Sequence, residues 1–387
     1  MKRERTGRYE EITVGGETVR ALIPSTLPPE PPLDLRGGLQ RILEESVLSL
    51  GRLDSLSAII PDSRLLLYSY VRKEAVLSSQ IEGTQSSLSD LLLFELGEAP
   101  GVPMEDVTEV SNYVAAMEHG LARLREGFPL SHRLLREVHG VLLSRGRGSG
   151  KSPGEFRRSQ NWIGGTRPGT AVFVPPPPAE IAEAMADLER FLHADSDGWP
   201  IILRAAVAHV QFETIHPFLD GNGRVGRLLI TLLLCEAGVL SEPLLYVSLY
   251  LKRNRQEYYR LLDDVRRDGD WESWIEFFLL GIRETAENAV ATARELMDLV
   301  RGDEARLQAA GRWAGSALRV LGVLSERPLV TLKEVRRRTG LSAPAVGDAM
   351  SRLVEIGIAQ EVTGKRRNRA FAYEAYLAAL SRESSVG

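Results

Sequence analysis

Twelve contiguous residues, His216 to Arg227 in the run HPFLDGNGRVGR, concentrate the groups that chemistry needs. They bring together an imidazole, a carboxylate, a Gly-Asn-Gly turn and two guanidinium groups three positions apart. The apolar residues that follow, Leu228, Leu229, Leu232 and Leu233, have the i, i+3, i+4 spacing of a core-facing helix. The turn is therefore expected at that helix's N-terminus, where unpaired backbone N–H groups and the positive end of the dipole attract anions. Glycines let the chain approach a phosphate closely. Arg224 and Arg227, at i and i+3, are expected to project from one side of the first turns toward one ligand. The pattern predicts a polyphosphate cradle with a potential base, His216, beside it.

Taken singly, these residues have simpler readings: a structural His in a His-Pro-Phe turn, or arginines paired with nearby carboxylates. Their fixed joint spacing favours the chemical reading. The segment resembles the Fic family signature HxFx(D/E)GNGRxxR and matches it at every defined position: His216, Phe218, Asp220, Gly221, Asn222, Gly223, Arg224 and Arg227. Fic proteins are mostly adenylyltransferases that move AMP from ATP to a hydroxyl of a target protein. The resemblance implies that His216 is the general base for a Ser, Thr or Tyr hydroxyl, a task suited to a neutral imidazole. It implies Asp220 as the Mg²⁺ ligand. Asn222, the amides of Gly221 and Gly223, and Arg224 would bind the α- and β-phosphates, with Arg227 reaching the γ-phosphate. His209, on the apolar helix AAVAHVQF, reads instead as a packed core histidine, and His119, His132, His139 and His193 form no metal-ligand spacing.

These residues need elements to hold them. Residues 21–33, ALIPSTLPPEPPL, are too proline-rich for helix and resemble the strap of the N-terminal Fic-associated segment. A helix is expected from about Asp62, an N-cap candidate, to Gly83. Its end, SSQIEG, fits the family's inhibitory motif (S/T)xxxE(G/N), with Ser78 and Glu82 four apart on one face and Gly83 following. The resemblance implies that Glu82 docks on Arg227 and occupies the charge meant for the γ-phosphate. The plainer reading is an ordinary helix end with a solvated carboxylate.

Between these motifs, residues 153–178 run PGEFRRSQNWIGGTRPGTAVFVPPPP, in which NWIGG and AVFV read as a β-hairpin ended by four prolines. In the family a hairpin here is the flap that holds the target's modifiable segment by strand-like pairing. After the core motif, Asn254, Tyr258 and Tyr259 are candidates for an amide contact to and stacking on adenine, or for plain packing between helices.

Composition agrees with an intracellular enzyme. The single Cys235 lies in an apolar run and excludes a disulfide framework. The N-terminus lacks an apolar signal region and no stretch suits a membrane span, so a cytoplasmic, non-membrane protein is expected. Residues 312–387 carry 13 Lys and Arg against 7 Asp and Glu, or +6, while the whole chain carries −4, leaving −10 on residues 1–311. In that basic part, helix 314–325, strand LVT, helix 332–339, turn TGLS, helix 343–356, strand IAQEV, turn TGKRRN and strand RAFAY follow the order of a winged-helix domain. Lys365, Arg366, Arg367 and Arg369 at the wing tip would meet phosphates, and Ser342–Val346 would enter a major groove. Protein docking or dimerisation is the other use of such a module.

The expected fold is mainly α: a Fic-type helical bundle with one β-hairpin flap, roughly a dozen helices, and a C-terminal winged-helix (α+β) domain. The expected divisions are an N-terminal Fic-associated region at 1–105, a Fic catalytic core at 106–290, a helical linker at 291–311 and the winged helix at 312–387. The expected function is a protein adenylyltransferase using ATP and Mg²⁺, acting on a target protein or on itself and restrained by Glu82. The alternatives are a nucleotide-sensing DNA-binding regulator, another donor, or removal of AMP by the same site. DNA and a homodimer are the further candidate partners.

Overall fold

The computed structural model describes residues 3, 6–59, 64–99, 101–194, 198–309 and 314–382. Two strands, β1 (Gly7–Val14) and β2 (Glu17–Pro24), pair antiparallel with Val14 opposite Glu17. Gly15 and Gly16, at φ 58° and 83°, make the two-residue turn whose twist matches that of the strands. Irregular chain then leads to α1 (Gly38–Ile59) and α2 (Arg64–Ile81). The candidate N-cap Asp62 lies outside the described residues. Gly83, at φ 105°, turns the chain just past the end of α2, a conformation that favours glycine. Next come α3 (Leu88–Glu95), started by a capping box between Ser87 and Asp90, then α4 (Met104–Arg125) and α5 (His132–Leu142). Ser131 caps α5 by accepting from the Leu134 N–H.

The chain continues through α6 (Ile181–His193), α7 (Ile201–Ile215) and α8 (Asn222–Glu236). Every residue of α7 from Ile202 to Ile215 is buried, as is α8 from Arg224 to Leu234. A helix that buries all its faces belongs at the centre of a bundle, and these two pack against each other there with α4 and α5 alongside. Two further helices, α9 (Ser248–Arg253) and α10 (Arg255–Asp268), lead to the 38-residue α11 (Trp271–Gln308), which lies along α1.

The C-terminal elements are α12 (Ala314–Glu326), β3 (Leu329–Thr331), α13 (Leu332–Thr339), α14 (Ala343–Glu355), β4 (Gln360–Glu361), β5 (Ala370–Ala372) and α15 (Glu374–Ser381). The strands form an antiparallel sheet in the order β3-β5-β4. This part is not detached. Leu92 of α3 shares an apolar cluster with Leu329, Ala370, Ala372 and Leu377, and the Tyr373 hydroxyl donates to Asp303 of α11 at 2.6 Å. Residues 291–308, expected as a linker, continue α11 without a break and bury Ala293, Leu296 and Leu307.

Two expectations about strands change. The segment 153–178 is not a regular hairpin: it has one antiparallel bridge, Ile163 to Phe173, and a short 3-10 turn at Pro168–Thr170. Gly164 and Gly165, both at positive φ, and Pro168 interrupt the ladder before a second pair can form. The Leu22 N–H instead donates to the Val174 carbonyl at 3.0 Å, tying this segment to β2. The regular hairpin is β1–β2, whose Gly-Gly turn between alternating runs is a hairpin signal. Fifteen α-helices occur among the described residues, and eleven of them, α1 to α11, begin between residues 20 and 290, where roughly a dozen were expected. Among those residues no helix is long and apolar enough to cross a membrane.

Candidate active site

The site forms where α7 ends and α8 begins. His216 follows α7 in the left-handed conformation, φ 50° and ψ 59°, with its N–H bonded to the Phe212 carbonyl at 2.9 Å. A non-glycine residue pays for this conformation, so other contacts must hold it. Arg157 supplies them. Its Nε donates to the His216 carbonyl at 2.9 Å, one terminal nitrogen donates to the Pro176 carbonyl at 2.5 Å, and its backbone N–H donates to the Pro217 carbonyl at 2.9 Å. The His216 side chain is 19% exposed. Burial, with Arg266 and Arg157 nearby, pushes the imidazole down to about 3, so the ring is neutral.

The loop 217–221 is clamped from both sides. The Asn222 side chain accepts from the Phe218 N–H and donates to the Phe218 carbonyl, both at 2.9 Å. These two bonds brace the loop, with one N–H of the side-chain amide engaged. The Phe218 ring stacks on His139, centroids 3.7 Å apart and planes 7° apart. His139 Nδ1 accepts from the Gly154 N–H at 2.8 Å, which leaves Nε2–H to donate to the Asp220 carbonyl at 3.0 Å. Burial lowers His139 to about 4, in keeping with that neutral tautomer.

Gly221, at φ 77°, is the N-cap of α8. The first intrahelical bond runs from the Val225 N–H to the Gly221 carbonyl at 3.0 Å, so the amides of Asn222, Gly223 and Arg224 precede the ladder. Asp220 stands at the rim, its side chain 42% exposed, with Oδ1 accepting from the Gly221 N–H at 2.6 Å. His216, Asp220, Gly221, Asn222, Gly223 and Arg224 line one cleft of about 320 Å³, closed by Glu82, Glu109 and Arg147.

The two arginines are held by different partners. Arg224 is held by Glu109 of α4 at 3.1 Å and lies 3.5 Å from Asp220. Arg147, on the glycine-rich loop after α5, pairs with Glu109 and, at 2.8 Å, with Asp106. Arg227 is fully buried and turns to α2. Its Nε donates to Ser78 Oγ at 2.7 Å, and one terminal nitrogen donates to the Ser78 carbonyl at 3.0 Å and to Glu82 Oε1 at 2.7 Å. Desolvation opposes charge on Glu82, but Arg227 outweighs it and holds the carboxyl below its ordinary range. Residue 223 must be small for this contact: a Cβ on Gly223 would lie 2.4 Å from Glu82 Oε1.

Three other expected residues divide. Tyr258 is buried, its hydroxyl donating to His209 Nε2 at 2.9 Å and its ring packed beside Trp274 and Tyr259. That removes it from stacking on a base and selects the packing alternative. His209 in turn donates from Nδ1 to the Gly226 carbonyl at 2.9 Å and is the core histidine expected. Tyr259 is 40% exposed, and the Asn254 amide donates to the Tyr250 carbonyl at 3.0 Å between α9 and α10. Sequence reasoning passed over Arg157, His139, Glu109 and Arg147. Glu109 had a visible signal, an acid beside the apolar Val107, Val110 and Val114 of one helix.

Comparison with known proteins places these features. Residues 41–122 match the family model described as Fic/DOC family N-terminal, and residues 129–234 match the one described as Fic/DOC family. Protein adenylyltransferase Fic of Drosophila persimilis is 31% identical over 248 residues, 62% of this chain and 45% of that protein. The chain thus spans under half the length of the curated relatives it matches. A Fic family protein from Desulfovibrio desulfuricans G20 shares the fold, with TM-score 0.59 at 22% identity over 89% of this chain and 98% of that one. That share is too large to stop at α11. Fic-1 from C. elegans gives a TM-score of 0.51 at 22% identity over 66% of this chain and 74% of that chain.

Proposed function

We propose that this chain, whose residues 41–122 and 129–234 match the two Fic/DOC family models, is a protein adenylyltransferase that holds itself in check. The observation that carries this reading is the convergence of His216, Asp220, the free amides of α8 and Arg224 on one cleft. In the reaction, the target's hydroxyl oxygen bonds to the α-phosphorus of ATP and its proton passes to His216. The bond from that phosphorus to the β-phosphate bridging oxygen breaks, and pyrophosphate leaves. A neutral, partly exposed imidazole fits the role of acceptor. The amides of Asn222, Gly223 and Arg224 and the dipole of α8 face the charge that builds on phosphate oxygens.

Asp220 fits a Mg²⁺ brought in with the nucleotide. It offers a half-exposed carboxylate at the cleft rim, and this ion uses one or two carboxylates plus substrate phosphates and water rather than an all-protein cage. The ion would supply charge neutralisation on the phosphates.

The restraint follows from Arg227. With Ser78 and Glu82 on two of its three guanidinium nitrogens, its charge is already matched by a carboxylate where a terminal phosphate would bind, and ATP would lie with its α-phosphate out of line. The test compares wild type, Glu82→Gly and Glu82→Gly with His216→Ala, each given α-labelled ATP and Mg²⁺, with covalent label read by gel and intact mass. An AMP-sized increment in the single variant, small in wild type and absent from the double variant, is expected. Measurable ATP binding without an increment in any variant would sink the reading.

A second reading concerns the C-terminal part. Its element order, its sheet order β3-β5-β4 and its +6 charge support a winged helix that meets nucleic acid. Lys365, Arg366, Arg367 and Arg369 are exposed at the wing tip. Along α14 the exposed side chains include Asp348 and Glu355, so phosphate contact by the wing outweighs base readout. Fluorescence anisotropy with duplex DNA over a salt series tests this. Affinity that falls steeply with salt supports it, and no binding at low salt refutes it.

A further inference from the structure

Glu213 has no part in the scheme above, yet it is set into the centre of the site. It lies in the last turn of α7, three residues before His216, with its side chain 8% exposed. Its Oε2 is 4.0 Å from His216 Nδ1. Its Oε1 is buried with no hydrogen-bond partner among the described residues, and so is His216 Nδ1. Two buried polar atoms left unmatched are costly, and such pairs persist where function needs them. Residue 226 makes the space: a Cβ on Gly226 would lie 2.4 Å from Glu213 Oε1. The Glu213 backbone carbonyl is the competing partner of the ring, and it also accepts from Arg266 at 3.0 Å.

We infer that Glu213 is a positioning residue for His216: its carboxylate accepts the Nδ1–H of the imidazole and so leaves Nε2 as the free base that faces the target hydroxyl. The inference rests on the transferase reading, in which His216 is the base. The 4.0 Å separation is about 1 Å longer than a hydrogen bond, a gap that a small rotation of the Glu213 side chain closes. As the target proton arrives on Nε2, the imidazole becomes a cation held between Arg157 and Arg266, an environment hostile to positive charge. An ionised Glu213 on the far nitrogen offsets that cost, the same logic by which a carboxylate orients and stabilises a catalytic histidine elsewhere. No proton needs to reach Glu213 for the step to balance. The proton stays on Nε2 until the product leaves.

The surroundings give Glu213 a titration near neutrality. Burial pushes it up to about 7 against the pull of Arg227 from α8 and Arg266 from α10, and Glu82 beyond α2 adds to the rise. The other titratable groups facing it are His216, the neutral His209 and the hydroxyls of Tyr258 and Tyr259. Its ionised form is the useful one, so transfer should be lost as pH falls through that value.

The test uses the full chain with Glu82→Gly as the active reference, adding Glu213→Gln or Glu213→Asp. With Gln, kcat is expected to drop about a hundredfold at unchanged KM for ATP and unchanged melting temperature. The acid limb of the pH profile near 7 should disappear, and Asp should restore part of the rate. In parallel, ¹⁵N shifts of His216 in histidine-labelled protein report its tautomer whether or not transfer occurs. A change from Nδ1–H toward Nε2–H on Glu213→Gln supports the inference. An unchanged tautomer assigns Nδ1 to the backbone carbonyl and overturns it, as does a Gln variant with full kcat and the same pH profile. A Gln variant that loses ATP binding and stability together would show a structural role instead. Failure of the Glu82→Gly reference to transfer any label would strike the transferase reading, and that outcome is separate from all of these.

Discussion

Glu82 Oε1 sits 2.7 Å from a terminal nitrogen of Arg227, in the space that a side chain on Gly223 would fill. The contact joins the end of α2 to the second turn of α8, 145 residues apart. In the proposed reading that space takes either a phosphate or the chain's own carboxylate, and one anion there would exclude the other.

Ser78 shares the grip and should report on it. Its Oγ accepts from Arg227 Nε at 2.7 Å and is fully buried. Ser78→Ala leaves a buried cationic donor short of one acceptor, at a cost of about 1–3 kcal/mol. Denaturant unfolding should show that loss. Basal labelling from α-labelled ATP should rise, though less than with Glu82→Gly, because the carboxylate still docks. Unchanged stability and unchanged labelling together would show that Ser78 is a bystander.

Arg157 anchors the strained turn at His216. Arg157→Ala would leave the carbonyls of His216 and Pro176 without their buried donor, at about 1 kcal/mol or more each. A catalytic group displaced by a fraction of an ångström loses rate steeply. In the Glu82→Gly background, kcat should fall at least about tenfold while ATP affinity, set at the other end of the loop, changes little. Isothermal titration with ATP and a rate assay separate the two.

Much of this was legible because it is local. The run 216–227 holds its imidazole, carboxylate and glycine turn in one stretch, and the structure places them on one cleft. The C-terminal elements begin and end within a few residues of their expected positions, since turns such as Gly340 and caps such as Ser342 mark them. What could not be read depends on distant partners. The Glu109–Arg224 pair spans 115 residues and the His209–Tyr258 bond spans 49. Asn222 looks like a ligand in sequence, and only the folded loop shows both its polar atoms bound to Phe218. The hairpin at 153–178 is reduced to one bridge for a local reason, since Gly164, Gly165 and Pro168 carry too little strand propensity for more.

Two histidines set an acid limit on stability. His139 is lowered to about 4 and His209 to about 3, each by burial in a site that holds the neutral ring. In the unfolded chain both titrate near 6.5. Because the folded values are depressed, their contribution is complete above pH 6.5 and is lost as pH falls from there toward 4 and 3. Each should cost on the order of 2 kcal/mol by pH 5. Urea unfolding between pH 7.5 and 5 should show the decline, and His209→Phe should reduce its slope by about one proton. A slope equal to that of wild type would mean that His209 is not held neutral.

The far end of α2 is gripped by the C-terminal part, and this should tune the contact at Glu82. The Tyr68 ring lies between Arg72, 3.6 Å from its centroid, and Arg327 of the segment after α12, 4.7 Å away. Its hydroxyl donates to Glu95 of α3 at 2.5 Å. Ser78 follows ten residues later on the same helix, about 15 Å along its axis. A rigid helix passes on a shift at one end to the other, so freeing Tyr68 should weaken the seat of Ser78 and Glu82 on Arg227. Tyr68→Ala should raise amide exchange through α2 and increase basal labelling severalfold, while leaving the rate of the Glu82→Gly variant unchanged, since no docked carboxylate is left to release. Faster exchange in α2 with no gain in labelling would show that the C-terminal grip stabilises the helix without governing the site. An equal gain in both backgrounds would place the effect of Tyr68 outside the Glu82 contact.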